Sequence, residues 1–271
     1  MITTGEINQL AKKHKVGDLT IEKDYVITWM LYGISENQVL REALAFKGGT
    51  VLKKAYFEFY RFSEDLDFTL LDENLSNEQI LDEFQRVLDF VIDESAGISL
   101  QINLDKNKEH KPTGSLKFFI DFIAPLGGAM GNKNLKVDVT RGETLEFELK
   151  NRPVLCEYRD IEDEFKVRCY ALGEVLIEKM TAVMGRTIPR DIYDLWYLFV
   201  YEGLDLADHH IEFESKARNK GHNPADFRTK LDDSLSKYES AWKKSLGSQI
   251  HELPDFKQVI RELNQHLRKH Y

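Results

Sequence analysis

The chain has 271 residues, of which 42% are hydrophobic and 31% charged, and a formal charge of −9. That is the composition of a globular protein with apolar material for one large domain or two modest ones, and no apolar run reaches the length of a membrane span. The acidic balance excludes attraction of nucleic acid by the molecule as a whole: a polyanionic partner needs a local basic patch, and a nucleotide needs a metal ion to offset nearby carboxylates.

The opening stretch, MITTGEINQLAKKHKVG, has no apolar centre of a secretory signal, so the cytoplasm is the expected compartment. Residues 1 to about 40 read as helices, with Leu10, Tyr25, Trp29 and Leu40 as core contacts and a strong segment over 21–31. Leu44-Ala45-Phe46 reads as a short strand and Val51 to Tyr56 as the start of a helix, joined by Lys47-Gly48-Gly49-Thr50. Two glycines let the backbone turn tightly and approach a ligand, and the free N–H groups opening the next helix suit an anion. Thr50 is placed to cap that helix or to offer its hydroxyl to a phosphate. The same pattern also fits an ordinary strand-to-helix turn, and it is no Walker A loop because the GK[ST] ending is absent.

In Glu64-Asp65-Leu66-Asp67-Phe68-Thr69-Leu70 the apolar residues share one face of a strand and Asp65, Asp67 and Thr69 the other. Carboxylates two residues apart on a strand lie roughly 6–7 Å from each other. They repel unless a cation sits between or beside them, and magnesium with oxygen ligands is the simplest remedy. A lone DxD equally fits two carboxylates solvating an edge strand. Arg61 and Ser63, just ahead of it, are positioned for phosphate contacts, and Arg61 also for a surface ion pair.

Residues 79–92 space Ile80, Phe84, Val87, Leu88 and Val91 as a helix does. Residues 116–123 form a strand apolar on both faces, hence a central one. Its Asp121 has Phe119 and Ile123 on its own face and is set aside as a metal ligand. Lys136-Val137-Asp138-Val139-Thr140 repeats the alternation and makes Asp138 the expected third carboxylate. Cys156 and Cys169, without CxxC or metal-ligand spacing, are expected as two buried thiols.

From about residue 160 the pattern is helical. In 174–184 Leu176, Met180, Val183 and Met184 point inward, with Glu178 and Lys179 off that stripe. After Gly185, Pro189 suits the first turn of a helix carrying Arg190, Asp191 and Asp194. Lys179, Arg186, Arg190, Asp191 and Asp194 fit a salt-bridge network. They equally fit a site in which Lys179 holds triphosphate oxygens and Asp194 orients it. Basic residues recur at Lys216, Arg218, Lys220, Arg228 and Lys230, then at Lys257, Arg261, Arg268 and Lys269, interleaved with acidic ones. They are either solvated helix faces or the lining of an RNA groove.

Together, Lys47-Gly48-Gly49-Thr50, the stretch from Arg61 to Phe68, Lys136-Val137-Asp138, Glu178-Lys179 and Arg190 to Trp196 resemble the AbiEii/AbiGii nucleotidyltransferase toxins. Glu22-Lys23-Asp24-Tyr25 is similar to the early segment of that family, and the resemblance covers residues 20 to about 200. It implies an α+β fold: a DNA-polymerase-β-like nucleotidyltransferase mixed sheet with N-terminal helices (residues 1–160) and a helical C-terminal region (residues 161–271). It further implies the toxin half of a type IV toxin–antitoxin or phage-defence pair, beside a transcriptional-regulator antitoxin. The expected activity is Mg2+-dependent transfer of NMP from an NTP to an acceptor, foremost the tRNA 3′ end, which blocks translation. Nucleotidylylation of a protein Ser, Thr or Tyr, or nucleotide or RNA binding without turnover, are the alternatives. Carried over by motif, Gly49 and Thr50 contact phosphate, on a turn whose Gly48 is also expected beside the triphosphate, Asp65 and Asp67 contact the metal, and Lys179 and Asp194 form the second half of the site. Family members often carry Gly-Ser at Gly49-Thr50, so the hydroxyl is retained here.

Overall fold

The computed structural model describes residues 1–110, 114–161 and 164–268, with 104–110 as backbone alone. The chain forms two compact units, one of Met1–Glu143 with Leu149–Cys169 and one of Thr144–Glu148 with Tyr170–Tyr271.

The first unit begins with three helices, α1 (Thr4–His14), α2 (Asp18–Glu36) and α3 (Gln38–Ala43). Thr3 and Glu6 cap α1 reciprocally, each side chain bonding the other's backbone N–H. Helix α2 is buried on almost all sides, so Tyr25 and Trp29 lie in the core; Leu40 does too, whereas Leu10 stays half-exposed. Strand β1 (Leu44–Lys47) leads into a short helix, α4 (Gly48–Val51), which continues as a π-helical turn over Leu52–Tyr56. Then follow β2 (Asp65–Leu70), α5 (Asn77–Ser95), β3 (Ser99–His110), β4 (Ser115–Ile123), β5 (Asn134–Thr140), β6 (Lys150–Pro153) and β7 (Lys166–Cys169).

The strands form one mixed sheet in the order β3-β4-β5-β2-β1-β7-β6. Strand β2 is therefore the middle one, antiparallel to β1 and parallel to β5; β4, expected to be central, is an inner strand nearer one edge. Because β7 is part of this sheet, the first unit extends to Cys169, past the expected residue 160. The apolar face of the sheet is covered by α5, whose Phe84 ring lies 5.0 Å from Phe118 of β4 and 6.4 Å from Phe68 of β2. Helix α2 packs closely on α5, where a Cβ on Gly33 would come within 2.9 Å of Val87 and Val91. Covering one face leaves the other to carry the polar side chains.

Buried charge ties α2 to the rest of the unit. Asp24 accepts from Lys54 Nζ at 2.5 Å and from Tyr158 Oη at 2.7 Å, and Lys54 also reaches Thr28 Oγ1 at 2.8 Å. Glu22 accepts from the Leu126 N–H at 2.8 Å and pairs with Lys133 at 2.7 Å. Cys169 is buried but Cys156 is exposed, correcting the expectation of two buried thiols; both are free.

The second unit is helical: α6 (Leu172–Gly185), α7 (Pro189–Val200), α8 (His210–Asn219), α9 (Phe227–Leu246) and α10 (Phe256–Leu267). Its segment 144–148 is held by Glu174, which accepts from the Glu146 and Phe147 N–H groups at 2.8 and 2.9 Å. No helix among the described residues is long and apolar enough to cross a membrane.

The side chains of Asp24 and Lys54 are only 3% and 2% exposed, so removing one strands the other's charge in the interior. Asp24→Ala is expected to lower unfolding stability by about 3–5 kcal/mol. Asp24→Leu combined with Lys54→Met should recover most of that loss in urea denaturation; equal losses for the single and double variants would refute the assignment.

Candidate active site

The polar face of the sheet gathers the predicted carboxylates. In the parallel β2–β5 ladder Asp67 stands opposite Asp138 and Asp65 opposite Lys136. On the other side of β2, Lys47 of β1 stands opposite Asp67. Directly opposed residues share a face, so all five side chains rise from one patch. Lys136 Nζ lies 3.5 Å from Asp138 Oδ2, 3.8 Å from Asp67 Oδ1 and 4.0 Å from Asp65 Oδ2. Strand alternation placed the aspartates; the lysine on the same face was overlooked, although its position two residues before Asp138 announces it.

The glycine turn meets this patch directly. Gly48 has φ +77°, and a Cβ built on it would lie 2.5 Å from Asp67 Oδ2, so only glycine admits the carboxylate here. Thr50 Oγ1 lies 2.5 Å from the carbonyl oxygen of Asp65 and 2.8 Å from Ser63 Oγ. Its side chain thus ties the turn to the entrance of β2. The expectation of Thr50 as helix cap is corrected: the helix opens at Gly48 with Lys47 in the cap position. Arg61 is 3% exposed, with its guanidinium on the Phe62 carbonyl and 5.8 Å from the Tyr60 ring, so it lies inside the unit and not on its surface. Ser63 is likewise buried. Asp121 has Phe119 and Ile123 on its own face as expected, and that face is also the carboxylates' face, because Asp121 stands opposite Asn134 and Phe119 opposite Lys136 in the β4–β5 ladder. It lies apart because Lys117, not Asp121, is opposite Asp138, and Asn103 Nδ2 donates to it at 2.6 Å.

Burial pushes the Asp67 carboxyl up to about 6, opposed by Lys136 and Lys47 and reinforced by Asp65 and Asp138. A carboxylate that is costly to ionise among others of its kind is what an added cation would relieve. Among the described residues no three His, Cys, Asp or Glu side chains are already drawn together at metal-ligand spacing. The patch nevertheless fits a hard divalent ion: the donors are carboxylate oxygens, an ammonium already stands among them, and Gly48 leaves the room a side chain would fill.

In the second unit Lys179 Nζ lies 2.9 Å from Asp191 Oδ1 and 2.8 Å from Asp194 Oδ2, and Arg186 Nε is 2.8 Å from Asp191 Oδ2. Lys179 and both aspartates are buried, so Lys179 is not on an outward helix face. The arginine and lysine hold the Asp191 carboxyl below its ordinary range against the pull of burial. Lys216 is also buried, 2.5 Å from Glu174 Oε1, and leaves the set of solvated or RNA-facing basic residues. Arg218 pairs with Glu214, Arg228 with Asp232 and Lys257 with Glu239, each on a helix surface. Lys269 lies outside the described residues.

Residues 29–262 match the family model described as "Nucleotidyl transferase AbiEii toxin, Type IV TA system". The chain belongs to this family of toxin nucleotidyltransferases. Among solved structures it is similar to JHP933 from Helicobacter pylori, with TM-score 0.61 and 19% identity over 94% of this chain and 92% of that one. It is also similar to MenT4, a nucleotidyltransferase toxin from Mycobacterium tuberculosis H37Rv, with TM-score 0.54 and 16% identity over 98% and 99% of the two chains. At these identities the likeness is one of fold, a polymerase-β-like nucleotidyltransferase sheet with helices before and after it. No curated protein matches.

Because the Asp67 carboxyl stands near 6 when folded against an ordinary 3.8, the folded chain holds a proton between those values that the unfolded chain has lost. Metal-free stability should therefore fall as pH rises through that window. Asp67→Asn is expected to flatten the fall and to add up to about 2 kcal/mol at neutral pH, as read by urea unfolding at stepped pH with chelator present. An unchanged slope would refute the assignment. Gly48→Ala meets both the positive φ and the Asp67 carboxylate, and should cost about 1–3 kcal/mol in the same assay.

Proposed function

We propose that this toxin nucleotidyltransferase uses Mg2+ to transfer NMP from an NTP to the 3′ end of tRNA, blocking translation. The observation carrying the reading is the register that sets Asp67 opposite Asp138 on adjacent parallel strands with Gly48 beneath the Asp67 carboxylate. Asp65, Asp67 and Asp138 are the residues that would hold the metal. A magnesium ion held there would supply charge neutralisation for the triphosphate and would lower the pKa of the attacking hydroxyl.

The chain's own part is to position and to neutralise. The backbone N–H groups of Gly48 and Gly49 would meet phosphate oxygens without a side chain between. Thr50, committed to Asp65 and Ser63, keeps that turn in register with the carboxylates. The acceptor hydroxyl attacks the α-phosphorus and pyrophosphate departs, so the phosphoanhydride bond is exchanged for a phosphodiester with no redox change. Positioning and charge stabilisation would supply most of the acceleration. A cognate antitoxin encoded beside the gene, and exposed basic residues of the second unit such as Lys230 and Arg261, are the proposed protein and RNA contacts.

Incubation with each α-labelled NTP, magnesium and total cellular RNA tests the reading. Label is expected in a tRNA-sized band, lost on chelation and in Asp65→Ala while circular dichroism stays native. Label in protein would replace the acceptor; the absence of label with every NTP would falsify the catalytic reading.

A further inference from the structure

The ammonium of Lys136 stands where the proposed metal charge would stand. Its three carboxylate distances, 3.5, 3.8 and 4.0 Å, are all longer than the roughly 2.7–2.9 Å of a direct charge-assisted hydrogen bond. The ammonium is thus shared among Asp138, Asp67 and Asp65 and committed to none. Lys47, the other lysine flanking Asp67, differs: its side chain is 8% exposed and its Nζ lies 3.4 Å from Glu143. The Lys136 side chain is 26% exposed and ends a flexible four-carbon stem, so it has a way out to water.

We propose that Lys136 is a resident counter-ion: its ammonium balances Asp65, Asp67 and Asp138 in the metal-free chain and withdraws when a divalent cation enters. This rests on the reading of those carboxylates as metal ligands. Two cations cannot share the position, since magnesium sits about 2.0–2.1 Å from its oxygens and the ammonium would be forced against it. Entry of the metal therefore includes displacement of the lysine. That lowers metal affinity and keeps the empty cluster from repelling itself apart. Lys136 is in this sense a positioning residue, acting through the carboxylates.

The test is titration of the full-length chain with Mn2+ alone, without nucleotide, at fixed ionic strength, read by calorimetry and by thermal unfolding. Lys136→Met should unfold at lower temperature when metal-free and bind Mn2+ about tenfold or more tightly, the scale on which one charge within about 4–6 Å moves an ionic equilibrium. Lys136→Arg, which keeps the charge, should bind as the wild type does. In the wild-type chain, acylation of Lys136 followed by peptide mass spectrometry should speed up when Mn2+ is added. Equal affinity of wild type and Lys136→Met, or an unchanged acylation rate, overturns the counter-ion role and leaves the metal site standing. Failure of both chains to bind Mn2+ overturns the metal reading itself.

Discussion

Like charges cannot be crowded on one sheet face without something to hold them, and much of the first unit answers that constraint. The β2–β5 ladder sets Asp67 opposite Asp138, with Asp65 two residues along. Burial raises the Asp67 carboxyl and its neighbours Asp65 and Asp138 add to the rise, while Lys136 and Lys47 oppose it. Each pKa unit of such a shift is worth about 1.4 kcal/mol, enough to matter beside a domain stability of about 5–15 kcal/mol. A cluster kept at that cost fits chemistry on phosphates better than it fits a scaffold.

The same constraint accounts for the glycine turn. Gly48 yields its side-chain volume to Asp67, and its positive φ carries the chain from β1 into α4 within one residue. The Thr50 hydroxyl then donates to the carbonyl of Asp65, the first residue of β2, which joins the turn directly to the strand that carries the carboxylates. What reads in the sequence as two separate motifs is a single object, with the polar face of the sheet between its halves.

How much of this was legible depended on the range of the interactions. Period-two alternation in β2 and β5 and the apolar spacing of α5 are local, and the structure bears them out. Strands β6 and β7 were missed because Lys-Asn-Arg-Pro and Lys-Val-Arg-Cys are short and mostly polar; pairing, not composition, makes them strands. Strand β4 looked central because both its faces are apolar, but the order of strands is set by long-range pairing that alternation does not encode. Lys216 reads as a solvated or groove-lining residue because charge on a helix usually marks the solvent side. Its burial depends on Glu174, a partner that spacing alone does not bring near, whereas the network expected of Lys179, Arg186, Asp191 and Asp194 forms, with the lysine and both aspartates buried.

Those buried lysines share a logic with Lys54. Lys54 has Asp24, Lys179 has Asp191 and Asp194, and Lys216 has Glu174; each ammonium also serves to fix elements whose apolar contacts alone could slide. A buried ion pair gains little over a well-packed apolar pair, but it penalises every arrangement that leaves either charge alone. Lys216 shows what that achieves: with Glu174 accepting the Glu146 and Phe147 N–H groups, its ammonium also reaches the Thr144 carbonyl at 3.1 Å, so α6, α8 and segment 144–148 have one mutual placement. Lys136 breaks the pattern. It is the partly exposed member among carboxylates, bound to none at hydrogen-bond distance, and a charge held that loosely is suited to being exchanged rather than to fixing a fold.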